Sequence, residues 1–214
     1  VTLYPFLLMD VPAGNGLPDP LGDEEQPAFP WRGRLTTVAG DAVEQIETFF
    51  ESYRDFVLHY AGLAEESGAD GVLIGSELAG LTRIRRGGGF PAVDALVELA
   101  GDVRDVVGAG VEISYAADWT EYGAQVNGAD VDFPLDPLWA SDDISYVGID
   151  WYPPMADWRD GIEHADAAWR DGRSRNYLAA NFTGTTNAGG GGGRYDMDGE
   201  HALGFYWGPW TDAG

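Results

Sequence analysis

Gly71-Val72-Leu73-Ile74-Gly75-Ser76-Glu77 (GVLIGSE) is the stretch whose reading decides the fold. Six small or apolar residues end on a carboxylate, the signature of a short buried strand. Upstream, Asp41 and Glu44 make a capping-box-like helix start. Val43, Ile46, Phe50, Tyr53, Val57, Tyr60 and Ala64 then recur at three- and four-residue steps, one apolar helix face that Gly68 terminates. Downstream, Pro91 opens a second helix with Val93, Leu96, Val97, Ala100, Val103 and Val107 on its apolar side, and Gly108 closes it. Val111 to Ala116 (VEISYA) reads as a strand running into Ala117, Asp118 and Trp119. Ile144 to Ile149 (ISYVGI) reads as another, running into Asp150, Trp151 and Tyr152, with a weaker helix at 157–170 after it. At the front, Val1 to Met9 is a β-rich run that stops at Asp10.

Strands alternating with helices imply a parallel sheet with right-handed crossovers. Glu77 to Asp118 spans 41 positions and Asp118 to Asp150 spans 32, each the size of one βα unit. Polar and aromatic residues gather at the C-terminal end of every strand, where a barrel builds its site. The expected fold is therefore α/β, a (β/α)8 TIM-barrel type, rather than a doubly wound sheet. One domain over 1–214 is expected, with barrel units over 1–170 and a Gly-rich remainder, 171–214, that includes the pentaglycine Gly189 to Gly193. Val11 to Gly40, polar and rich in Pro and Gly, is too long for a plain connector and reads as a functional loop.

Composition narrows the functions. The 214 residues carry 12 basic side chains, all arginine, against 36 acidic ones, a formal charge of −24. That charge disfavours nucleic acid and anionic lipid as partners. No apolar run approaches ~20 residues, so membrane insertion is not expected. The absence of cysteine excludes thiolate metal sites and a cysteine nucleophile. No glycine-rich phosphate loop follows a strand, and no cofactor is expected. Asp130, Asp132, Asp136, Asp142 and Asp143 form an acidic run without EF-hand spacing. A GC-rich genome or a salty medium explains such acidity better than bound Ca²⁺ does.

Glu77 is the sharpest candidate for chemistry. A carboxylate ending an apolar strand is costly unless it is paired or functional. Glycosidic hydrolysis needs an acid to protonate the leaving oxygen and a second carboxylate at the anomeric carbon. Burial raises a Glu pKa and suits it to the first role. The ordinary structural alternative is an ion-paired Glu, with Arg83 or Arg85 as partner. Asp10, Asp118 and Asp150 are the other strand-end acids, each open to roles as second carboxylate, sugar-hydroxyl ligand or helix N-cap. Trp119, Tyr122, Trp139, Trp151, Tyr152 and Trp158 lie in or beyond the strand-to-helix loops, where flat rings stack on sugars or simply pack on the rim. Trp151 and Tyr152, next to a strand end, are the stronger sugar-binding candidates, with Trp119 beside Asp118. His59, His164 and His201 lack zinc spacing, and no G-x-S-x-G motif occurs, so no metal site and no serine triad is expected.

Ile74-Gly75-Ser76-Glu77-Leu78 resembles the acid/base strand of clan-A glycoside hydrolases, in which a Glu closes the fourth barrel strand. Val147-Gly148-Ile149-Asp150-Trp151-Tyr152-Pro153 resembles their sixth strand. More specifically, the chain resembles the TIM-barrel-like, glycoside-hydrolase-type domain of gene transfer agent and phage tail (baseplate hub) proteins. The matching stretches are Tyr4 to Pro20, Ala28 to Arg34 (AFPWRGR), Phe56 to Tyr60, Ile74 to Ile84, Tyr115 to Tyr122, Asp136 to Ala140 and Val147 to Asp160. The resemblance implies a tail-particle protein that cleaves or binds a polysaccharide or peptidoglycan-type glycan during attachment and entry, among other tail and baseplate proteins. It implies Glu77 as acid/base, Tyr152 as the residue orienting the nucleophile, and a retaining mechanism. It also implies that Val1 to Asp10 is the third strand, so that the chain is a piece of the barrel. The family nucleophile is a Glu ending strand seven. Glu200, the sole Glu in 171–214, follows no apolar strand and is not assigned that role, while Asn176 to Phe182 and Ala202 to Trp210 are strand-like runs without a family counterpart.

Overall fold

A computed structural model describes residues 1–151 of the chain. The helix expected at 157–170, the strand-like runs at 176–182 and 202–210, Tyr152, Trp158, His164, His201 and Glu200 lie outside the described residues. Four parallel strands form the main sheet, in the order β1 (Thr2–Leu3), β2 (Gly71–Ser76), β3 (Glu112–Asp118) and β6 (Gly148–Asp150). An antiparallel pair, β4 (Gln125–Asn127) and β5 (Asp130–Asp132), forms a separate hairpin.

Helix α1 (Ala42–Ser67) starts where Asp41 accepts the Val43 and Glu44 N–H groups. It ends at Gly68, whose φ of 67° is the left-handed cap that glycine adopts without a Cβ penalty. Helix α3 (Pro91–Val107) begins on a proline, which loses no helical hydrogen bond at that position. These two helices are the crossovers from β1 to β2 and from β2 to β3, and they pack against one another. Their apolar stripes, Ile46, Phe50, Tyr53, Val57 and Ala61 on one and Val93, Leu96, Ala100 and Val103 on the other, close over Val72, Ile74, Ile113 and Tyr115 of the strands. Fully burying each Val, Leu, Ile or Phe among them contributes about 1.5–3 kcal/mol. The third crossover differs: α4 (Trp119–Tyr122), the hairpin and α5 (Asp136–Trp139) together lead from β3 to β6. None of the described helices is long and apolar enough to cross a membrane.

Two strands are shorter than the apolar runs that announce them. The run from Val1 to Met9 keeps only Thr2–Leu3 in the ladder, because Pro5 has no N–H to give to a neighbouring strand. In the run from Ile144 to Ile149 the ladder starts at Gly148. Before it, the Ile113 N–H donates to the Ser145 hydroxyl rather than to a backbone carbonyl. The β3 strand instead runs longer than expected and carries Asp118 as its last residue, paired in register with Asp150.

Candidate active site

The site starts with a defect in β2. Val72 and Leu73 pair with Ile113 and Ser114, but Ser76 pairs with Ala116, so β2 carries one more residue than β3 over that interval. Such a bulge re-aims the residues after it. Gly75 lies within it, and a Cβ there would sit 2.6 Å from the Tyr53 hydroxyl oxygen, which donates to the Ile74 carbonyl. At Glu77 the backbone is left-handed, with φ of 52°. A non-glycine residue held there costs on the order of 1 kcal/mol or more, a strain that clusters at functional positions. The Glu77 N–H donates to the Ala116 carbonyl at 2.9 Å, and the chain then turns into α2 (Ala79–Thr82). Bulge and turn together direct the carboxylate across the strand ends.

Arg32 meets it there. Its Nη2 lies 2.6 Å from Glu77 Oε2 and 3.8 Å from Asp150 Oδ2, so those two carboxylate oxygens are at most about 6.4 Å apart, the sum of the two distances. The Arg32 and Glu77 side chains are only 7% and 6% exposed. Arg32 Nε donates to the carbonyl and hydroxyl of Ser76, and its guanidinium lies 3.8 Å over the Phe6 ring. Trp31 Nε1 donates to the same Glu77 Oε2 at 2.5 Å. No hydrogen bond among the described residues engages Glu77 Oε1. The Tyr4 hydroxyl donates to Asp150 Oδ2.

The expected ion pair of Glu77 with Arg83 or Arg85 is replaced by this one. The 3-10 turn Arg32–Arg34 packs directly on α2, because Gly80 leaves room for the carbonyls of Leu35 and Gly33, 2.4 and 2.8 Å from where its Cβ would be. That contact brings Arg32 to the strand end. Arg83 turns away to the Thr120 carbonyl, and Arg85 pairs with Asp132. The long loop before the turn is held by its own polar groups. Gln26 donates to the Pro18 and Arg34 carbonyls, Arg34 pairs with Asp19 and Asp23, and Glu25 accepts the Gly14 and Gly16 N–H groups.

Burial pushes the Glu77 pKa up; the Trp31 N–H and the Arg32 charge pull it down, and the nearby Asp150 and Asp118 charges raise it further. The net direction is upward, toward a carboxyl that holds its proton. Burial, followed by the hydrogen bond to Asp150, also raises the Tyr4 phenol, which therefore stays a donor.

The structure brings Glu77, Asp118 and Asp150 together at one end of the sheet. Asp118 Oδ1 accepts the Thr120 N–H and hydroxyl, and Asp118 caps α4 in a capping box with Glu121. Trp119 is the first residue of α4, and Trp151, half exposed, directly follows β6. Asp10 is exposed, beyond the end of β1, and no described hydrogen bond or ion pair joins it to the others. Trp139 packs near Tyr115 with a ring-centroid separation of 6.3 Å. The acidic run does not converge. Asp132 pairs with Arg85, Asp136 opens α5, Asp143 lies 3.9 Å from Arg104, and no group of three or more potential ligands for a metal forms among the described residues.

Arg32, Trp31, Tyr4 and Ser76 were not singled out by the sequence. Their signals were faint: a Trp-Arg pair inside a Pro/Gly-rich loop, and a Tyr directly before the proline that ends β1.

Residues 51–192, two thirds of the chain, match the family described as the GTA TIM-barrel-like domain. The chain belongs to that family. Its parallel sheet with helical crossovers is accordingly part of a TIM-type barrel. Among solved structures, two described as GH113 beta-1,4-mannanase, one of them a complex, are 21% identical over 61% of this chain, with TM-scores of 0.45 and 0.42. The matched region covers 35% of each mannanase chain, about a third of its length. A comparison with curated proteins gave no match.

Proposed function

We propose that this domain hydrolyses a cell-envelope or surface glycan, as part of a gene transfer agent or phage-like tail, by a two-carboxylate retaining mechanism. The observation that carries the reading is the meeting of Glu77 and Asp150 on one arginine nitrogen, with their oxygens no more than about 6.4 Å apart. Retaining pairs stand roughly 5–5.5 Å apart, and inverting pairs need about 6.5 Å or more to seat a water between them. Glu77, raised by burial, protonates the glycosidic oxygen as the bond to the anomeric carbon breaks. Asp150 attacks that carbon and forms the glycosyl-enzyme. Water then displaces Asp150, giving up its proton to Glu77. Arg32 holds both carboxylates and Tyr4 fixes the Asp150 oxygen, while Trp151, Trp119 and Asp118 border the sugar. Other tail and baseplate proteins are the partners that the family suggests.

A second reading has its own observation. A Glu paired to a buried Arg at 2.6 Å also suits a domain that binds glycan or scaffolds the tail without cleaving anything. Glu77→Gln separates the two. Cleavage of purified peptidoglycan or surface polysaccharide, read as new reducing ends, should fall about 10²- to 10⁴-fold. Undiminished turnover in that variant would sink the catalytic role. Binding that survives Glu77→Gln but is lost in Trp151→Ala, with no cleavage by the unmodified chain, would favour the second reading.

A further inference from the structure

Glu121 is a buried carboxylate, 2% exposed, that the hydrolytic scheme leaves without a role. Both its oxygens are engaged. Oε1 accepts the Thr82 hydroxyl at 2.6 Å and the Tyr115 hydroxyl at 2.8 Å, and Oε2 accepts the Asp118 N–H at 3.1 Å. The Tyr115 oxygen in turn accepts the Leu78 N–H at 2.7 Å, the peptide group immediately after Glu77. One carboxylate therefore holds the backbone at two strand ends, directly at Asp118 and through Tyr115 just beyond Glu77. The left-handed backbone at Glu77 needs such fixing, since a strained residue persists only where its surroundings over-determine it. The Ala116 carbonyl fixes the near side of that turn, and the Tyr115 relay fixes the far side.

We propose that Glu121 is a positioning residue, whose ionised carboxylate sets the turn that aims Glu77 and the strand end that carries Asp118. The proposal rests on the reading of Glu77 as the site's acid. Burial pushes Glu121 up to about 7, against the hydrogen bonds from Thr82, Tyr115 and the Asp118 N–H and the charge of Arg83. The groups around it are Arg83 after α2, Tyr115 and Asp118 on β3, Asp150 on β6, which packs on α4, and Tyr53 of α1 behind Tyr115. Arg83 is the cation of that set and is tied to α4 through the Thr120 carbonyl. Protonation removes the negative charge that strengthens the three bonds converging on Glu121 and adds an O–H that needs an acceptor of its own, so the hold loosens as pH falls through the neutral range.

The test is a titration of the 214-residue chain with ¹³C-labelled carboxyl groups, followed by NMR, in the unmodified protein, Tyr115→Phe and Thr82→Val. In the unmodified protein the Glu77 resonance should show an extra inflection at the Glu121 midpoint, near pH 7. Tyr115→Phe, which cuts the relay to Leu78, should remove that inflection while Glu121 itself still titrates. Thr82→Val removes a donor from Glu121 but keeps the relay, and should move the inflection to higher pH. A Glu77 resonance indifferent to Glu121 in the unmodified protein overturns the proposal, as does an inflection unchanged by Tyr115→Phe. The hydrolase reading fails separately: an inflection without glycan cleavage removes that reading and upholds the positioning, and cleavage without the inflection does the reverse.

Discussion

Removing the charge of Arg32 while keeping its stem, as in Arg32→Met, strands Glu77 in a buried site beside Asp150. At 2.6 Å and an effective dielectric of about 20, the Arg32–Glu77 attraction is roughly 6 kcal/mol before desolvation is subtracted. Deleting one partner of a buried pair costs about 3–5 kcal/mol, because the other charge is left uncompensated. The loss should depend on pH with a definite sign. Glu77 is already raised by burial, and without Arg32 one of the influences lowering it disappears. An acid raised in the folded state contributes stability below its unfolded value and loses it as pH climbs through the folded value. Arg32→Met should therefore cost least near pH 4, where the lost bonds to Ser76 remain as a pH-independent part, and most near pH 8. Arg32→Met with Glu77→Gln should recover the pH-dependent part, since Glu77 is then no longer a stranded charge, and leave the part due to the lost Ser76 bonds. Urea unfolding followed by circular dichroism, for the single and double variants across that pH range, measures all of this. A loss under about 1 kcal/mol, the worth of an exposed pair, would refute the reasoning. So would a loss independent of pH, or strictly additive effects in the double variant.

Two further perturbations have expected outcomes. Glu121 is raised from its ordinary value to about 7, which amounts to about 3 kcal/mol of stability present near pH 4 and lost by pH 8. Glu121→Gln should remove that pH-dependent loss, giving a flatter plot of melting temperature against pH than the unmodified chain. Gly80→Ala would drive a methyl to 2.4 Å from the Leu35 carbonyl oxygen and 2.8 Å from that of Gly33. It should cost about 1–3 kcal/mol in a denaturant titration and change the fluorescence of Trp31, whose N–H bond to Glu77 depends on the displaced turn.

The parts of this fold that can be read in the sequence are those written in short periods. The three- and four-residue steps from Val43 to Ala64, the proline at 91 and the glycines at 68 and 108 specify α1 and α3, because each is a local preference for one helix face or one terminus. Glu77 was legible because a carboxylate ending an apolar strand breaks the pattern around it. What was hidden is non-local. Arg32 lies 45 positions before Glu77, and no periodicity links them; the link is made by Gly80, which lets the 3-10 turn settle on α2. The bulge that aims Glu77 depends on the Tyr53 hydroxyl sitting beside Gly75, a meeting of α1 and β2 that neither segment discloses alone. Glu121 carried a readable sign, since Asp118-Trp119-Thr120-Glu121 has capping-box spacing. Its attachment to Tyr115 and Thr82 was not readable, because those contacts need α2 and β3 in place.

The pairing of Glu77 with Asp150 is tested most directly by Asp150→Ala on a glycan substrate that the unmodified chain cleaves, with sodium azide added as a substitute nucleophile. Cleavage should fall about 10²-fold or more without azide. Azide should then restore bond breaking and yield a glycosyl azide of inverted configuration, because the small anion occupies the vacated side of the anomeric carbon while Glu77 still donates its proton. Undiminished cleavage by Asp150→Ala would contradict the assignment.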